Sequence, residues 1–93
     1  MTNRDQVQQA FPKADTVGDF TGDDTEFYVS FGTLHIDIWA PAPDWTVWEC
    51  RMEYLGTCLR VQDVHLSTAR DALWVLVRAR LDAHTKEVLR CLS

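Results

Sequence analysis

From Phe27 to Asp63 apolar residues fall at nearly every second position, in four runs that are short and separated by turn residues. That period puts alternate side chains on opposite faces of a strand, so one face of a sheet can be buried while the other meets water. Phe27, Val29 and Phe31 alternate with Tyr28 and Ser30. Leu34, Ile36 and Ile38 alternate with His35, Asp37 and Trp39. A third run from about Thr46 to Tyr54 places Trp48, Cys50, Met52 and Tyr54 on one face, and a fourth, Thr57 to Asp63, adds Leu59 and Val61. Phe31-Gly32 and Leu55-Gly56 read as tight turns. Pro41-Ala42-Pro43-Asp44 ends the second strand, because proline has no N–H to give a ladder.

Helical signals flank this meander. Thr2 or Asn3 can cap a short helix reaching about Phe11, where Pro12 stops it. Residues 12–25 are rich in Gly, Asp and Thr and read as a loop. At the other end, Thr68-Ala69-Arg70-Asp71 fits a capping box with Asp in place of Glu, and nothing breaks a helix from Ala69 to about Leu92. The expectation is a single α+β domain over residues 1–93: a short N-terminal helix, a four-stranded antiparallel β meander and a long C-terminal helix packed across one sheet face.

The long helix carries two stripes. Trp74, Val77, Leu81, His84, Val88 and Cys91 recur at alternating spacings of three and four, and this stripe is expected against the sheet. Ala69, Ala72, Leu76, Ala79 and Ala83 form a second stripe of small residues. It needs a second neighbour, either the N-terminal helix through Val7 and Phe11 or a copy of the same helix, since alanines let helices approach closely. Ala72, Leu76, Ala79 and Ala83 are therefore the candidate interface of a homodimer.

Alternation assigns Tyr28, His35, Asp37, Trp39, Val47, Glu49, Arg51, Glu53, Cys58, Arg60 and Gln62 to the wet face. A two-residue turn at Leu55-Gly56 sets Arg51 directly opposite Arg60, a like-charge pair that Glu49 and Glu53 can offset from the diagonals. The plain reading is a solvated, charge-balanced face. The functional reading is a recognition surface, because Arg, Trp and Tyr dominate binding hot spots. Asp19, Asp23, Asp24 and Glu26 form an acidic segment able to attract a basic partner.

Composition narrows the classes. An apolar fraction of 46% with 25% charged residues is that of a globular chain, and a net charge of −5 argues against nucleic acid as a direct ligand. Four Trp in such a chain imply an aromatic core or indoles set out for a partner. Three Cys form no disulfide framework, the first residues lack the apolar run of a signal peptide, and no stretch is long enough to span a membrane, so the cytoplasm is expected. His35, Asp37 and Cys58 share a face but lack the close spacing of zinc ligands, so no metal or other cofactor is expected. The acidic segment lacks calcium-loop spacing. Buried cysteines, expected at Cys50 and Cys91, act as small hydrophobes, and no phosphate loop or catalytic set is found, so no enzyme is expected.

In size, acidity and want of catalytic sets the chain is similar to the small inhibitors that bacteriophages and plasmids carry against host defence, anti-CRISPR proteins included. It is equally similar to immunity proteins that neutralise toxins. The similarity is one of class and implies a protein-binding inhibitor or adaptor that masks a partner's surface, such as that of a basic nucleic-acid-binding enzyme. A structural assembly subunit and a small metal-binding domain or enzyme are the other classes.

Overall fold

The computed structural model describes residues 1–92. Its elements run α1 (Asn3–Ala10), β1 (Thr16–Asp19), β2 (Glu26–Phe31), β3 (Leu34–Trp39), β4 (Trp48–Tyr54), β5 (Thr57–Asp63) and α2 (Leu66–Leu92). The strands form one antiparallel sheet in the order β1-β2-β3-β4-β5, with α2 packed on one face. The α+β layout stands, but the sheet has five strands where four were expected. The added strand is Thr16–Asp19, inside the stretch read as a loop. It pairs with β2 from Thr16↔Ser30 to Asp19↔Phe27. Val17 is its single large apolar residue, so a hydrophobic period could not reveal it.

Both tight turns form with the backbone that right-handed strand twist favours, the first of them one residue later than expected, at Gly32-Thr33, because Phe31 pairs with Leu34. Leu55 and Gly56 have φ of 49° and 77°, the doubly positive pair of a two-residue hairpin, while Gly32 alone has φ of 59° in the β2–β3 turn. These turns fix the register: Arg51 faces Arg60, and Cys50 faces Val61. Buried Phe27, Val29, Ile36, Ile38, Trp48, Cys50, Met52 and Leu59 then line one side of the sheet. Their order along the chain is the alternation seen in the sequence.

The N-terminal helix is capped as expected. The Thr2 hydroxyl accepts from the Asp5 amide, and the Asp5 carboxylate accepts from the Thr2 amide. Val7, Ala10 and Phe11 bury its inner face. Phe11 meets Phe31 and Trp74 edge-on at 6.2 and 6.3 Å between ring centroids. Arg70 donates to the Ala10 carbonyl at 2.9 Å and ties the two helices together.

The long helix departs from expectation in three ways. It begins at Leu66, three residues before the expected start, so Thr68 lies inside it; the Asp63 carboxylate instead accepts from the His65 amide just ahead of the first turn. Its buried stripe is Leu66, Ala69 and Leu73, with Trp74 and Val77 partly covered. Leu81, Val88 and Cys91, expected against the sheet, are exposed, Leu81 by 45%. The cause is length. Arg80 donates to the Leu55 carbonyl in the β4–β5 turn, at the end of the sheet. Residues 81–92, about 18 Å of helix at 1.5 Å per residue, run on beyond it. The molecule is accordingly elongated, 52 Å in its longest dimension. Of the small-residue stripe only Ala69 reaches the core; Ala72, Leu76, Ala79 and Ala83 stay exposed, and α1 contacts α2 on a different side.

Candidate functional site

The face of the sheet away from α2 carries the polar half of each strand, and strand pairing gathers those side chains into two clusters. The first is centred on Glu49. Alternation sends its side chain to the open face, yet the residue is only 4% exposed. Neighbours from two strands close over it. Arg60 donates through Nε at 3.0 Å and Gln62 through Nε2 at 2.5 Å, both to Oε1, while Arg51 Nε lies 2.5 Å from Oε2. Register explains the arrangement, since Arg51 stands opposite Arg60 and Glu49 opposite Gln62. One carboxylate therefore bridges the like-charged pair. Burial alone would raise the Glu49 carboxyl, but the hydrogen bond from Gln62 and the charges of Arg51 and Arg60 hold it below the usual range.

Arg51 also lies over Trp39, with its guanidinium carbon 4.9 Å from the ring centroid, within cation–π range. Trp39 ends β3. Past it the chain turns through a small closed loop in which Ala42 and Trp45 exchange backbone hydrogen bonds of 2.6 and 2.9 Å. That loop holds Trp45 up, 41% exposed. A cleft of about 400 Å³ opens between the two indoles, with Glu26, Glu49, Arg51 and Arg60 also lining it.

The second cluster is an aromatic ladder. Phe20 lies against Tyr28 at 5.0 Å, and Tyr28 stacks on His35 at 5.4 Å with 21° between the rings. His35 Nε2 is 2.9 Å from Asp37 Oδ1. Gly18 makes the ladder possible. It pairs with Tyr28, and a Cβ there would sit 2.1 Å from the Tyr28 ring. The tyrosine can fold across β1 only because that position is bare.

The candidates from the sequence thus fall into separate places. Glu26, Trp39, Glu49, Arg51 and Arg60 come together at the cleft; Tyr28, His35 and Asp37 form the ladder; Glu53 stands exposed opposite Cys58. Three of the acidic-loop carboxylates have structural work. Asp24 accepts from the amides of Asn3 and Arg4 at the start of α1. Asp19 accepts from the amides of Thr21 and Gly22, and Asp23 accepts from the hydroxyls of Thr21 and Thr25, which lower its pKa. Trp45, Phe20 and Gly18 were missed. The Trp-rich composition was the one hint of Trp45, and the other two sit in a stretch without period.

Among the described residues, no group of three or more His, Cys, Asp or Glu could hold a metal ion. His35 and Cys58 border one groove with β4 between them, their backbones about 10 Å apart at about 4.8 Å per strand, and the His35 Nε2 is turned to Asp37. Cys50 is inaccessible, its thiol pushed up to about 12 by burial and then by the nearby Glu49 charge. No described helix is long and apolar enough to cross a membrane. Comparison with family models, with curated proteins and with solved structures returns no match.

Proposed function

We propose that the chain is a protein-binding module of the inhibitor or adaptor kind, which masks a partner's surface with the open face of its sheet around Trp39. The observation that carries this reading is the pre-set Trp39–Arg51–Glu49–Arg60 arrangement beside an open cleft. Side chains ordered before binding lose little entropy on association, and Trp and Arg are the commonest anchors of an interface. The net charge of −5 adds long-range attraction to a basic partner, such as a nucleic-acid-binding enzyme. Roles as an inhibitor of host defence or as a toxin-neutralising immunity protein both fit this class.

The test is affinity capture from the source cell with the parent chain and two variants, Trp39→Ala on the open face and Leu89→Glu on the far part of α2. Loss of a specific protein with the first variant alone supports the reading. Loss with the second alone rejects it. That outcome would favour an assembly subunit, the reading suggested by the stretch of α2 running past the sheet with Leu81, Val88 and Leu89 exposed.

A further inference from the structure

The Glu49 cluster is unbalanced in hydrogen bonding. Two guanidinium groups bring roughly ten N–H donors, whereas one carboxylate offers about four lone-pair sites. Gln62 takes one of these. Most donors of Arg51 and Arg60 are thus left to water or to a ligand, and both side chains are about half exposed beside the cleft. Donors thus outnumber acceptors in the cleft.

We propose that the cleft between Trp39 and Trp45 takes the carboxylate of an acidic side chain from a protein partner, held by the outer N–H groups of Arg51 and Arg60. This rests on the reading of the open face as a protein-binding surface and names the group that it grips. A guanidinium fork is the side chain best matched to a planar anion. Glu49 fixes both forks from behind, so little order remains to be imposed when the anion arrives. Trp45 is the wall left to pack on the apolar stem of the incoming residue.

A cation fits poorly in the same place. One face of Trp39 is already covered by Arg51, and the Glu49 oxygens are already shared among three donors. Glu26 is the opposing element. Its carboxylate lines the cleft from β2 and weakens any anion there. The site is therefore tuned to moderate strength, and removing that charge should strengthen it.

Three probes of equal bulk separate the cases: benzoate, benzamide and benzylammonium, titrated at constant ionic strength into the intact ¹⁵N-labelled chain. The signals to follow are the indole N–H of Trp39 and Trp45 and the side-chain Nε–H of Arg51 and Arg60. Benzoate is expected to shift them saturably, with a Kd of about 1–10 mM, the weak binding reasonable for one small anchor. Benzamide should bind at least several-fold more weakly and benzylammonium not at all. Glu26→Gln should tighten benzoate several-fold. Arg60→Met, which keeps an apolar stem, should abolish saturation while the strand amide signals stay in place.

Saturable binding of benzylammonium, or benzoate shifts that do not saturate or that survive Arg60→Met, would overturn the carboxylate site even if Trp39→Ala abolishes partner capture. The converse result, saturable benzoate binding with partner capture indifferent to Trp39→Ala and Arg60→Met, would reject the protein side chain as occupant and leave a small-molecule carboxylate in its place.

Discussion

Glu49 is the residue on which the open face depends. Without its charge Arg51 and Arg60 would face each other with nothing between them. Removing one member of a buried ion pair costs about 3–5 kcal/mol, but here both arginines are half exposed and water screens them, so Glu49→Gln should cost about 1–2 kcal/mol. The sign with pH follows from its lowered pKa. A carboxyl depressed in the folded state stabilises above its unfolded pKa, and that contribution is lost as pH falls through the folded value. Urea unfolding should therefore separate parent and variant at pH 7 and bring them together in acid. Cys50 acts at the other end of the scale. Its folded pKa of about 12 lies above the ordinary 9.0, so the unfolded chain sheds this proton first and stability should fall as pH rises above about 9. Native thiol titration at pH 8 should label Cys58 and Cys91 quickly and Cys50 only on unfolding.

Among the elements, α2 carries two different energetic regimes. Leu73 is wholly buried, so Leu73→Ala should lower stability by about 2–4 kcal/mol. Leu89, 59% exposed, should change stability by less than about 0.5 kcal/mol on conversion to Ala. Amide exchange should follow the same division, slow through residues 69–77 and fast beyond 84, because a helix end without tertiary contact is marginal in water. This division was not legible in the sequence. The stripe from Trp74 to Cys91 keeps its period throughout, but periodicity reports which residues share a face and not where the opposing sheet ends. Strand faces were legible because a two-residue period leaves no ambiguity of side once the Leu55-Gly56 turn sets the register. That reasoning placed Arg51 opposite Arg60, and alternation put Tyr28 and His35 on one face. It could not find β1, where Thr16–Asp19 has too few apolar residues to show a period, nor the burial of Glu49, which depends on three side chains folding over one carboxylate. The structural part played by the acidic loop was hidden for a related reason: charge counts do not show that Asp19, Asp23 and Asp24 have hydrogen-bond partners inside the fold.

As a whole the molecule has a compact sheet-and-helix end and a helical extension, and the two could serve different contacts. The small-residue stripe of Ala72, Leu76, Ala79 and Ala83 is exposed and uncovered by α1, so the dimer reading depends on a second copy alone. Sedimentation at micromolar concentration tests it: a dimer for the parent and a monomer for Ala79→Glu is the outcome for that interface, whereas a monomeric parent removes it. The proposed role of the open sheet face is tested by the affinity of the captured partner for Trp39→Ala. An indole at the centre of an interface is worth about 2 kcal/mol or more, so the Kd should rise at least about 30-fold, while Leu89→Ala binds as the parent does. An unchanged Kd for a folded Trp39→Ala chain would mean that the partner binds elsewhere than the open face.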